Sequence, residues 1–134
     1  MLLANSNRLT QSPQGAVHID PAGYTLADSH YRYTWNAAGD LTEVRAGEGS
    51  GIILDTVLGE YRYDHRHLRI TKTANGQTTH YHYDASGQLI AETNATGQAE
   101  RSYVWFSGRP VAMIDHLAPY ERTYYIETDA LFTP

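Results

Sequence analysis

One short pattern recurs along this chain: an aromatic residue, an aspartate or asparagine, two further residues, glycine, one residue, then leucine. Its fullest form is Tyr83-Asp84-Ala85-Ser86-Gly87-Gln88-Leu89. Trp35-Asn36-Ala37-Ala38-Gly39-Asp40-Leu41 keeps the aromatic, a short polar residue, the glycine and the leucine. Tyr63-Asp64 opens a third copy that carries His67 at the glycine position. Leu3–Leu9 and Ile19–Gly23 are weaker copies, and Asn7 stands where the first of them would need glycine. The copies begin at 3, 19, 35, 63 and 83, spacings of 16, 16, 28 and 20 residues. A repeat constrains a fold strongly, because every copy must build the same small unit and bury its apolar face against its neighbours.

The unit reads as strand, turn, strand. Thr79, Tyr81 and Tyr83 fall at every second position and so share one strand face. Asp84-Ala85-Ser86-Gly87 supplies turn chemistry: the aspartate bonds its own backbone two residues on, and glycine accepts positive φ. Leu89, Ala91 and Thr93 then alternate with Gln88, Ile90 and Glu92 as a second strand. Asn94–Gly97 reads as a further turn, and Asn75-Gly76, between Leu68–Ala74 and Gln77–Asp84, is the strongest hairpin signal in the chain. Tyr81/Tyr83, Tyr103/Trp105 and Tyr124/Tyr125 extend the aromatic spacing to about one hairpin per twenty residues. The expected fold is all-β: an antiparallel β-hairpin meander forming a curved sheet. Gly51–Gly59 is expected as an extra strand and Ala46–Gly51 as an exposed loop.

Composition sets the remaining bounds. The chain has 134 residues, enough for one domain. It holds eleven tyrosines against two phenylalanines, which suits a sheet with one wet face or edge. A formal charge of −5 disfavours a nucleic-acid partner. Without cysteine there are no disulfides, thiol nucleophiles or cysteine zinc sites. No apolar run approaches a membrane span, and Met1-Leu2-Leu3-Ala4 runs at once into polar residues, so no signal peptide is expected.

These motifs resemble the RHS/YD-repeat family, named for its Tyr-Asp dipeptides. Trp35, Asn36, Gly39 and Leu41, then Tyr63 and Asp64, then Tyr83, Asp84, Gly87 and Leu89 carry the repeat signature. Further along, Tyr103–Asp115, with Gly108, Arg109, Pro110 and Asp115, is similar to the start of the RHS repeat-associated core. Tyr124, Tyr125 and Asp129 resemble its next block, with Ala130 and Phe132 replacing the usual histidine and glycine. The resemblance divides the chain into repeats over 1–100 and the opening of the core module over 101–134. It implies a segment of the β-shell that encloses a C-terminal toxin, delivered between bacteria by contact-dependent or type VI secretion, or directed at a host. It implies a secreted or cell-surface setting within a larger bacterial protein. The implied partners are the remaining shell and the enclosed toxin, with self-association through sheet edges where the shell is incomplete. The family's self-cleaving Asp-Pro-x-Gly-x-x-Gly-Gly motif is echoed only by Asp20-Pro21-Ala22-Gly23, where Tyr24 follows instead of the continued motif, so no catalytic residue is carried over.

Other constellations have blander readings. His65/His67 and His80/His82 share strand faces two by two, but no third ligand is patterned with them, and no metal or other cofactor is expected. Asp64 and Asp84 recur at one repeat position and read as turn caps rather than an acid–base pair. Ser107-Gly108 lacks a nucleophile elbow, and Gly47–Gly51 lacks the lysine of a phosphate loop. Tyr61, Tyr63, Tyr81, Tyr83, Tyr103 and Trp105 read as cross-strand ladder residues. The alternative is a cell-surface carbohydrate- or protein-binding module, with Trp105 as the sugar contact.

Overall fold

A computed structural model describes residues 11–12, 15–117 and 119–127. The copy at Leu3–Leu9 with Asn7, and Asp129 with the residues around it, lie outside them. The described residues hold thirteen strands and one three-residue 3-10 turn at Glu48–Ser50. The short strands β1 (Gln11–Ser12) and β2 (Gly15–Ala16) pair with each other. The chain divides into two compact units, 1–63 with 73–75, and 64–72 with 76–134.

In the first unit β3 (His18–Ile19), β4 (Thr25–Ala27), β5 (Tyr31–Trp35), β6 (Leu41–Ala46) and β7 (Val57–Tyr63) pair antiparallel in chain order. Tyr33 sits opposite Val44 and Trp35 opposite Leu41, with a register shift just before Trp35. Such shifts add local right-handed twist to a strand pair. The strand β8 (Arg69–Ala74) leads through Asn75-Gly76 into β9 (Gln77–Tyr83). Asn75 and Gly76 have φ of 52° and 72°, as a two-residue type I′ hairpin turn requires.

The second unit continues the pattern. There β9, β10 (Leu89–Asn94), β11 (Ala99–Phe106), β12 (Arg109–Asp115) and β13 (Arg122–Tyr125) pair antiparallel in chain order. Ser107-Gly108, with φ of 49° and 77°, is the tight turn between β11 and β12. Arg109 opens β12 opposite Phe106, and Pro110 faces Trp105 at a register shift, where its missing N–H is tolerated. The register puts Tyr81, Glu92, Arg101, Tyr103, Met113 and Tyr124 on one face and His82, Ala91, Ser102, Val104, Ala112 and Tyr125 on the other.

The all-β meander matches the sequence reading. Gly51–Gly59 does not: the strand begins only at Val57. Gly51 and Asp55 both take positive φ, 73° and 62°, which breaks the extended path through Ile52-Ile53-Leu54. Those three apolar side chains are exposed, Ile53 at 83%. Ala46–Gly51 is exposed at Glu48, Gly49 and Gly51, but its backbone is tethered rather than loose. Ala46 is fully buried. Gly47 and Gly49 donate N–H groups to the His30 and Ser29 carbonyls at 2.6 and 2.7 Å. A methyl on Gly49 would overlap the Ser29 carbonyl oxygen, so this close approach requires glycine.

Little of the sheet is deeply covered. Among the described residues the buried side chains are those of Ala46, Ala112 and Glu92, and no large side chain is fully buried. A sheet normally hides one face against a second layer. Here cohesion falls to the backbone ladder, the turns and the half-buried polar groups that cross between strands.

Candidate functional site

Four turns share one geometry. Asp84 Oδ1 accepts N–H bonds from Ser86 (2.8 Å) and Gln88 (2.9 Å). Asp64 does the same for Arg66 and Leu68, Asn36 for Ala38 and Asp40, and Asn94 for Thr96 and Gln98. In each, the fourth residue takes positive φ: Gly39 90°, His67 63°, Gly87 84°, Gly97 83°. His67 thus occupies the glycine position in the glycine conformation, an uncommon choice for a residue with a side chain. Asp20 caps a variant, reaching Gly23 and Tyr24 instead. The recurring aspartates are therefore in place as turn caps. The identity of Asn94 with them was not read from the sequence, although Asn94-x-x-Gly97 has the spacing of Asp84-x-x-Gly87.

The second recurring element is a polar rung between strands. In β11 the Trp105 indole N–H donates to the Leu89 carbonyl at 2.8 Å, and the Tyr103 hydroxyl donates to Glu92 Oε1 at 2.6 Å. In β5 the Trp35 N–H donates to the Thr25 carbonyl and the Tyr33 hydroxyl to Asp28 Oδ2, both at 2.8 Å. In both places the acid lies three residues after the carbonyl. Tyr83 makes a third version, donating to the Arg69 carbonyl at 3.0 Å, while the Arg69 guanidinium lies 5.0 Å from the Tyr81 ring centroid. Of the residues expected as a ladder, Tyr83, Tyr103 and Trp105 thus grip neighbouring strands through their polar ends; Tyr33 and Trp35, not expected there, do the same in the first unit. In the first unit the rung is also braced by stacking: the Tyr24 ring lies on Trp35 with centroids 5.1 Å apart.

Glu92 is the residue that sequence reasoning missed. It is 7% exposed, accepts from Tyr103, and pairs with Arg101 at 3.1 Å. Burial raises the Tyr103 hydroxyl pKa, and its bond to the Glu92 carboxylate raises it further. Burial likewise pushes Tyr33 up to about 12, helped by Asp28. Burial alone would raise Asp28 too, but bonds from the His30 N–H, the Tyr33 hydroxyl and the Tyr31 N–H outweigh it and hold the carboxyl below its ordinary 3.8. Bonds from Arg45 hold Glu43 below its ordinary 4.5, against the opposing effect of burial.

These shifts set both limbs of a stability profile. Asp28 and Glu43, lowered in the fold, contribute above their unfolded pKa values, and that contribution is lost as pH falls through the folded ones. Tyr33 and Tyr103, raised in the fold, contribute fully below about pH 10, and that contribution is lost as pH climbs above it. Urea midpoints are expected to be flat between about pH 5 and 9 and to fall on either side. Tyr33→Phe is expected to flatten the alkaline fall, which a midpoint series measures directly.

Ser102, His116 and Glu121 form a chain: Ser102 Oγ lies 2.9 Å from His116 Nε2, and His116 Nδ1 2.8 Å from Glu121 Oε1. This is the connection order of a serine–histidine–acid triad. Ser102 lies mid-strand, however, between β10 and β12, where the strand N–H groups serve the ladder rather than an oxyanion cradle among the described residues. The chain fastens the connection between β12 and β13.

The residues of the expected core motif are placed as follows. Gly108 and Arg109 lie at the β11–β12 turn, and Asp115 closes β12, capping the Leu117 N–H at 2.9 Å. Tyr124 and Tyr125 lie on β13 opposite Met113 and Ala112. Trp105 is half-buried. Among the described residues no three His, Asp or Glu side chains gather as a metal site. No helix among them is long and apolar enough to cross a membrane.

Residues 63–99, which hold the Asp64, Asp84 and Asn94 turns, match the RHS Repeat family model. Over those residues the chain carries an RHS repeat. It is also 34% identical over 101 residues to the tRNA nuclease WapA of Bacillus subtilis strain 168. The tRNA3(Ser)-specific nuclease WapA of Bacillus spizizenii is similar to the same extent. The alignment takes in 74% of this chain but only 4% of each relative's length.

Proposed function

We propose that this chain is wall material of a longer RHS-type toxin: a length of β-shell around a C-terminal toxin domain. The observation that carries this reading is the repeated hairpin unit itself, a meander of like capped turns and polar rungs that buries almost nothing within its own described residues. Such a sheet encloses something else or stacks on more of its kind. The relatives' names as nucleases support a toxin context. In this reading residues 101–134 open the core module, the catalytic groups belong to the enclosed domain, and the whole travels to the cell surface or beyond, by a contact-dependent or type VI route. Strand β13 pairs only with β12 among the described residues and all four of its residues are exposed, so this edge joins the remaining shell or a second copy.

The coding sequence beyond Pro134 is expected to continue into a variable domain. In that longer protein, deleting 63–99 is expected to expose the domain to protease and to unleash its activity. Equal protease resistance with and without 63–99 would overturn the containment role. A glycan-binding module would instead give saturable sugar binding lost in Trp105→Ala.

A further inference from the structure

A concavity of about 750 Å³ lies in the first unit, walled by Tyr31, Tyr33 and Trp35 and bordered by Asp28 and His30. Alternate positions of β5 put the three aromatic rings in one row. Tyr31 and Tyr33 form a corner, with centroids 6.4 Å apart and planes tilted by 59°. Asp28 stands at the phenolic end of Tyr33.

The Trp35 and Tyr33 polar atoms of this wall and the Asp28 carboxylate are already engaged. The Trp35 N–H is given to Thr25 and the Tyr33 hydroxyl to Asp28. Asp28 Oδ1 accepts from the His30 and Tyr31 N–H groups, each at 2.8 Å. The charge of Asp28 is another matter. Its three donors are all neutral, and among the described residues no arginine or lysine pairs with it, since Arg32 goes to Asp55 and Arg45 to Glu43. A half-buried carboxylate with no permanent cation among the described residues, faced only by the His30 imidazole, beside a corner of ring faces, attracts positive charge. A guanidinium seeks two free carboxylate oxygens in a fork, and three of the carboxylate's roughly four acceptor positions are taken. An alkylated ammonium has few or no N–H groups to satisfy and binds through ring faces and charge alone.

We propose that the Tyr31–Tyr33–Trp35 corner beside Asp28 is a binding site for a quaternary ammonium group, free or as a lipid headgroup.

The test is amide and indole NMR of the isotope-labelled chain during titration with choline, with its neutral carbon isostere, and with phosphatidylcholine vesicles. Saturable shifts at Tyr31, Tyr33 and the Trp35 indole are expected with choline, and the isostere should bind at least about tenfold more weakly. Shifts only with the vesicles would support the lipid headgroup as the source. Asp28→Asn keeps an acceptor for the two backbone N–H groups and should weaken binding by about tenfold. Tyr31→Leu, at a 40% exposed position, should do likewise and decides the matter if Asp28→Asn misfolds. The proposal fails if neither choline nor the vesicles give saturable shifts. It also fails if the isostere binds as well as choline, or if affinity survives in the folded variants.

Discussion

Glu92→Ala is expected to lower the free energy of unfolding by about 2–4 kcal/mol, a large share of what a domain of this size has. The carboxylate is 7% exposed and joins Tyr103 and Arg101 across β10 and β11. Truncation deletes the acceptor of both and leaves a half-buried hydroxyl and a guanidinium without their partner. Glu92→Gln keeps an oxygen for Tyr103 and gives up only the charge, so about half that loss is expected. Urea denaturation of the two variants measures the order. Tyr103 provides an independent readout, because its hydroxyl is raised by burial and by Glu92 together. In Glu92→Ala its ultraviolet ionisation should move down in pH. Tyr103→Phe combined with Glu92→Ala should cost less than the two single changes added, since both break one contact. An alanine variant as stable as the parent would mean that the rung is held by the ladder alone.

The turns were legible because their cause is local. Asp84 caps N–H groups two and four residues on, and Gly87 supplies the positive φ that closes the loop, all within five residues. The same holds for Asn75-Gly76. His67 was found by position, since its residue type argues the other way. The rungs were not legible in this way. Glu92 alternates with Ala91 and Thr93 as any strand residue would, and its burial depends on Tyr81 and Arg101 arriving opposite it from other strands. Register of that kind is a long-range property. Ile52-Ile53-Leu54 misled for a related reason. Their apolar, β-branched run favours a strand, but the tethers from Gly49 to Ser29 and from Asp55 to Ala46 fix a different path. The ammonium site is half legible: Tyr31, Tyr33 and Trp35 share a strand face by count, whereas Asp28 reaches them only through the turn that precedes β5.

Gly39→Ala is expected to cost about 2–3 kcal/mol, more than the same change at Gly97, where about 1–2 kcal/mol is expected. Both glycines close the same capped turn, at φ of 90° and 83°, so the conformational cost of a side chain is shared. What differs is the space. A methyl at Gly97 meets nothing within 4 Å, whereas one at Gly39 overlaps the Tyr24 hydroxyl and lies 3.1 Å from its Cζ. Tyr24 cannot swing aside freely, because its ring is stacked on Trp35 at 5.1 Å, and Trp35 is in turn tied to the Thr25 carbonyl. The clash is therefore passed into the rung. Tyr24→Phe removes the overlapping oxygen and leaves the stack. In the Tyr24→Phe background Gly39→Ala should fall back towards the Gly97→Ala cost, with a coupling of about 1 kcal/mol in the double-mutant cycle. Equal costs at the two glycines, with no coupling to Tyr24, would show that the ring yields and that only the turn's positive φ demands glycine.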